Sequence, residues 1–161
     1  MEQRVGTMKR SAVSLLAVLM LAAAAARAAG VEVTGAWARA TMPGQKVAGV
    51  YMEIRSDRAA RLVGVESAAA GSAEVHEMRN DGGVMRMRHV EALDLPAGRT
   101  VKLAPGGFHV MLFELGQPLK PGDKVRLTLK VDRGGKREDV QVVAVVKPAS
   151  AAGVDSGHGD H

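Results

Sequence analysis

Short runs rich in β-branched residues, separated by turn residues such as glycine, proline, Ser56-Asp57 and Asn80-Asp81, follow one another from residue 31 to residue 146. No window in that stretch carries sustained helical periodicity with caps. The runs fall at 31–37, 47–55, 61–66, 74–79, 84–90, 100–103, 108–115, 125–131 and 139–146. Strands spaced this closely between Gly/Pro turns predict an all-β domain, a sandwich or barrel. The Ala-rich stretch 67–73 fits a helical turn or a loop equally, and no repeat of fixed period is present.

The two ends of the chain read differently. Arg4, Lys9 and Arg10 precede an apolar run at 12–26, and Ala26-Arg27-Ala28 offers a small-x-small cleavage site. Basic start, apolar middle and A-x-A end together are the pattern of a secretory signal peptide over residues 1–28. The apolar run is shorter than the roughly 20 residues a spanning helix needs, so no stable membrane insertion is expected after cleavage. The working domain is then 29–148, exported to a periplasm. Residues 149–161 are small and polar and are expected to form a flexible tail. Removing residues 1–28 leaves 18 basic and 16 acidic residues, a charge of +2, and no basic stripe, so nucleic acid is excluded as a partner.

The chain has no cysteine, which excludes disulfide scaffolds, thiolate zinc sites, iron–sulfur clusters, thiol catalysis, blue-copper ligation and the Cys-linked lipid anchor. Trp37, Tyr51, Phe108 and Phe113 are its only aromatic residues, too few for recognition by base stacking. Methionine is abundant instead, with nine in the chain.

Asp81-Gly82 is a two-residue hairpin signal, because a type I′ turn needs positive φ at both centres. With those residues at the turn, Asn80 faces Gly83, Met78 faces Met85, His76 faces Met87, and Glu74 faces His89. His76, Met78, Met85 and Met87 then project from one face, since alternate residues and direct cross-strand partners share a side. The opposite face carries Glu77, Arg79, Arg86 and Arg88 and suits water. On the run after Pro105-Gly106-Gly107, His109 and Met111 share a face, with Phe108, Val110 and Leu112 turned toward a core. His76, Met87, His109 and Met111 are thus two sets of one imidazole and one thioether, able to converge if their strands are neighbours.

Thioether sulfur is soft and neutral and favours Cu(I), while imidazole suits several metals, copper among them. Zinc would prefer Cys or carboxylate beside His, and calcium would want oxygen. A lone Met on a strand is ordinarily core filler, and a lone His there is more often structural. On spacing alone, metal site and plain packing both stand. No catalytic motif argues for an enzyme: His76-Glu77 begins like H-E-x-x-H, but Asn80 occupies the second His position. A copper redox enzyme would need a site tolerating Cu(II), which a Met-rich set disfavours. A β-sandwich module that binds no metal also stays open.

The spacing His76-x10-Met87-x21-His109-x-Met111 resembles the signature of the periplasmic copper chaperones of the PCuAC type. The text around it is similar too: Gly83-Val84-Met85-Arg86-Met87, Pro105-Gly106-Gly107-Phe108-His109-Val110-Met111-Leu112 and Pro118-Leu119-Lys120-Pro121-Gly122-Asp123, with Ala36-Trp37-Ala38-Arg39 and Ala48-Gly49-Val50-Tyr51-Met52 earlier. The likeness runs over about 31–147. It implies a cupredoxin-like, Greek-key β-sandwich or barrel without the cupredoxin Cys. It implies Cu(I) held at His76, Met87, His109 and Met111 by a protein that is not an enzyme. It also implies delivery toward the copper-binding subunit of cytochrome c oxidase, alone or with a Sco-type thiol protein. A copper buffer or resistance protein without a dedicated acceptor would share the same site. Met78 and Met85 are expected to shield it first and to serve as auxiliary ligands second, and His89 to be structural. His158 and His161 in the tail make a thin version of the His- or Met-rich extensions of some relatives, with a plain solvated tail as the first reading and weak Cu(II) binding as the second.

Overall fold

Eleven strands carry the part of the chain that the computed structural model describes, residues 26–28 and 30–150. They are β1 (Ala26–Ala28), β2 (Val31–Arg39), β3 (Ala48–Ser56), β4 (Ala60–Glu66), β5 (Ser72–Asp81), β6 (Val84–His89), β7 (Leu93–Leu95), β8 (Thr100–Leu103), β9 (Phe108–Phe113), β10 (Lys124–Arg133) and β11 (Lys136–Lys147). The all-β class holds, with no α-helix among the described residues, and 68–71 is turn and bend. The expected signal peptide, apart from β1, and the expected tail beyond residue 150, with His158 and His161, lie outside the described residues.

The hydrogen-bonded order is β6-β5-β9-β3-β2-β11-β10-β4-β7, with β1 added to β2 and β8 to β3. Neighbours are antiparallel except β2 and β11, which run parallel. β3 divides one edge between two partners: residues 48–50 pair with β9 and residues 52–55 with β8. The path is open, with β6 and β7 at its ends, and wraps around one core. Leu62 of β4, Leu95 of β7, Val110 and Leu112 of β9 and Leu129 of β10 belong to a single buried cluster, although their strands stand far apart in the order. That is the sandwich or barrel expected from the strand spacing. The long β10–β11 hairpin shows the cause most plainly. Val125, Leu127, Leu129 and Val131 alternate with polar residues and meet Val140, Val142, Ala144 and Val146 on the inner side, the period of two that a half-buried strand requires.

The β5–β6 hairpin turns one residue later than expected. Gly82 and Gly83, with φ of 61° and 87°, form the turn, and Asp81 pairs with Val84. The N–H of Gly83 donates to Asn80 Oδ1 at 2.8 Å. Two glycines take positive φ without a Cβ penalty, which an Asp at the first centre would incur. The pairs are therefore His76 with His89, Met78 with Met87 and Asn80 with Met85, in place of His76 with Met87, Met78 with Met85 and Glu74 with His89. Each partner moves two residues along β6. Because that step is even, every side chain keeps its face.

Candidate metal centre

β9, β5 and β6 lie side by side at one end of the sheet, and β6 is the edge. His109 pairs with His76, and His76 pairs with His89, so three imidazoles form a row across three strands. The ring centres of His76 and His109 are 6.1 Å apart, and those of His76 and His89 are 5.8 Å apart. A metal–nitrogen bond near 2.0 Å puts an ion about 3.2 Å from each ring centre, so two rings on one ion have centres within about 6.4 Å. Both pairs meet that bound. Met111 is one step along β9 from His109, opposite Glu74, and Met87 is one step along β6 toward the turn, opposite Met78.

A cavity of about 410 Å³ opens on this face, lined by Met87, His109 and Met111 together with Met78, Met85 and Tyr51, among others. Three of the four expected ligands thus share one cavity. His76 is not in its lining and packs beside His109 instead. His109 is buried, whereas Met87 and Met85 are 47% and 55% exposed.

Two of the three imidazoles, His109 and His76, are fixed in one tautomer. The turn Ala104-Pro105-Gly106-Gly107, with its positive-φ Gly106 and the Gly107 N–H donating to the Ala104 carbonyl, delivers the Gly107 carbonyl to two donors. These are the Met78 N–H at 3.0 Å and His109 Nδ1–H at 3.1 Å. Nε2 of His109 is then the nitrogen with a lone pair. Burial holds His109 below the usual imidazole range; the Gly107 hydrogen bond opposes that and the neighbouring His76 adds to it. The ring is neutral at neutral pH, the state a metal ligand needs. His76 Nε2–H donates to Glu74 Oε2 at 2.9 Å, which leaves the lone pair on Nδ1. That Nδ1 is buried and has no hydrogen-bond partner. A buried acceptor left unsatisfied is uncommon enough to require a reason.

Residue patterning alone missed several members of this surface. Glu74 orients His76, and its place two residues earlier on the same strand was the available signal. Tyr51 sets its ring 6.3 Å from that of His109 and lies over Gly49, where a Cβ would come within 2.7 Å of the hydroxyl oxygen. Trp37 pairs with Tyr51, the rings 4.5 Å apart, and Lys147 Nζ lies 5.3 Å from the Trp37 ring. The opposite face is less open than expected. Glu77 is buried there, bound by Arg79 Nε at 3.0 Å and by Arg88 Nε at 2.9 Å. No group of three or more His, Asp or Glu among the described residues is placed to hold a metal ion. A site on the imidazole row must therefore draw on sulfur, or keep part of its shell open to water.

A family model described as "Putative lipoprotein LpqE-like" matches residues 31–145. The "Putative lipoprotein Lxx21020" of Leifsonia xyli subsp. xyli is 37% identical over 109 residues, which is 67% of this chain and 66% of that relative's length. Among solved structures, the copper-bound PCuAC domain from PmoF2 superposes with a TM-score of 0.64 at 28% identity, covering 78% of this chain and 98% of that domain. The solution structure of the Cu(I) form of DR1885 from Deinococcus radiodurans gives a TM-score of 0.56 at 35% identity, covering 70% and 75%.

Proposed function

From the premise that this chain belongs to the LpqE-like family and shares its fold with PCuAC domains solved with copper, we propose that it is a carrier of monovalent copper, with His76, Met87, His109 and Met111 as ligands. The observation that carries the reading is the pair of facing imidazoles, each with one free nitrogen, beside a cavity lined by thioethers. His109 Nε2 and His76 Nδ1 supply two nitrogens, and Met87 and Met111 supply two soft sulfurs. Four neutral donors suit a +1 ion without adding charge to the site. Glu74 and the Gly107 carbonyl hold the two rings in the ligating tautomer, the role that hydrogen-bond partners of metal-bound histidines ordinarily play. Met87 stands half-exposed on an edge strand, so the bound ion would stay within reach of an acceptor.

The destination we propose is the copper-binding subunit of cytochrome c oxidase, reached directly or with a Sco-type thiol protein; the runner-up is a periplasmic buffer with no dedicated acceptor. The lipoprotein names of the family and of the relative support a place in the cell envelope, and the leader pattern of residues 1–28 narrows this to the periplasm. A weak Cu(II) site on His158 and His161 is a further part of the reading. Cu(I) titration against a competing chelator under reducing conditions tests the core claim. One tight equivalent is expected, weakened at least about a hundredfold in His109→Ala and in Met111→Ala, and retained in a variant lacking His158 and His161. Absence of Cu(I) binding by the intact chain overturns it. A deletion strain separates the two destinations: oxidase loss rescued by added copper favours delivery, and copper sensitivity alone favours buffering.

A further inference from the structure

His89 is the one imidazole of the row that the thioether site does not use. It stands on the edge strand, exposed, directly across from His76. The His76–His89 ring-centre distance of 5.8 Å is shorter than the 6.1 Å between His76 and His109. Both pairs lie within the two-ring bound derived above, so distance admits an ion between His76 and His89 as it does between His76 and His109. Met78 and Met87, the next pair along the hairpin, lie toward the turn, and Glu74 lies on the other side of His76, already accepting its Nε2–H.

We propose that His76 and His89 form a second metal clip, open to water, that takes divalent copper and competes with the thioether site for His76. Two nitrogens with water completing the shell make a borderline, tetragonal-type environment, and among first-row divalent ions copper binds nitrogen donors most strongly. The two sites exclude one another for a structural reason. With its Nε2–H committed to Glu74, His76 has a single lone pair to offer a metal, on Nδ1. A single lone pair holds one ion at a time, shared either with His109 and sulfur or with His89. The oxidation state of the metal decides which: soft Cu(I) selects sulfur, and Cu(II) selects nitrogen and water. The exclusivity rests on His76 being a ligand of the proposed Cu(I) site, whereas the His76–His89 clip does not.

The test uses the full chain with His158→Ala and His161→Ala, which removes the tail imidazoles from every arm. Copper(II) chloride is added in air, and binding is followed by competition and by electron paramagnetic resonance. The expected result is one Cu(II) with nitrogen couplings from two imidazoles. His89→Ala, or His89→Gln as a second variant, should weaken that Cu(II) at least about tenfold and change Cu(I) affinity by less than about twofold. Met87→Leu with Met111→Leu should do the reverse. Preloading with Cu(I) under anaerobic conditions should block Cu(II) uptake. Cu(II) binding unchanged in both His89 variants, or no Cu(II) bound at all, overturns the clip. Cu(I) and Cu(II) bound together overturns the sharing of His76. Loss of Cu(I) binding by the intact chain would instead count against the carrier reading and leave the clip standing on its own result.

Discussion

Two hairpins in this molecule are built on the same turn and put to opposite uses. β5–β6 turns through Gly82-Gly83 with Gly83 N–H bonded to Asn80 Oδ1, and β10–β11 turns through Gly134-Gly135 with Gly135 N–H bonded to Asp132 Oδ1, both at 2.8 Å. All four glycines have positive φ. Beyond the turn the hairpins diverge. From Val125 to Val131 and from Val140 to Val146 every second residue is buried in the common core, whereas all six residues of β6 are exposed, Met85 and Met87 among them. A turn of this kind fixes which residues oppose each other and says nothing about what they face. Apolar side chains spend their surface in a core when one is offered; here two thioethers stand in water beside two imidazoles, which points to a ligand rather than to packing.

The contrast breaks most clearly on stability. Leu129→Ala on β10 removes a fully buried side chain and should cost about 2–5 kcal/mol in urea unfolding of the apo protein. Glycine replacement at the turns comes next. A Cβ at Gly83 or Gly135 meets nothing within 4 Å, so Gly83→Ala and Gly135→Ala should each cost only the left-handed backbone strain, about 1–2 kcal/mol. Only Gly83→Ala has a chance to disturb the imidazole row, because only that turn sets His89 against His76. Met87→Ala should change apo stability by less than about 0.5 kcal/mol while weakening Cu(I) binding strongly. A loss above 1 kcal/mol there would mean that the β6 methionines are packing groups after all, and the comparison would fail.

How much of this was legible in the sequence follows from the same two hairpins. The all-β class and the strand positions could be read because β-branched alternation and Gly/Pro turns are local signals. The face shared by His76, Met78, Met85 and Met87 could be read as well, since it depends only on the parity of the register. The actual cross-strand partners could not. Asp-Gly and Gly-Gly turns differ by one residue, and the glycine pair won on backbone freedom at Gly82 and Gly83. That one-residue difference moved His89 from a partner of Glu74 to a partner of His76. Short β7 (Leu93–Leu95) and the adjacency of β5 to β9 were not readable, because both are settled by long-range closure of the core. Nor was the burial of Glu77, which depends on Arg88 from the facing strand.

Glu77 supplies the smallest expected effect, and it sharpens the difference between the two faces of β5. The Arg88 hydrogen bond holds its carboxyl below the usual carboxylate value; burial opposes this, and Arg79 adds a second hydrogen bond. A carboxylate with a depressed folded-state pKa binds fewer protons in the native than in the unfolded chain in the window between the depressed value and the unfolded one. Its stabilising contribution is therefore complete above the ordinary carboxylate range and declines as the pH falls through it toward the depressed value. Glu77→Gln should be less stable than the parent at neutral pH, with the gap closing in acid, as read from thermal unfolding of the apo protein over a pH series. Arg88→Met should reproduce most of that pattern, since Arg88 is the largest cause of the shift. Cu(I) affinity at neutral pH should stay unchanged in Glu77→Gln, because Glu77 and His76 are adjacent on β5 and point to opposite sides of the sheet. A Glu77→Gln variant that lost copper would show that the arginine-bearing face and the imidazole-bearing face are coupled through the strand they share.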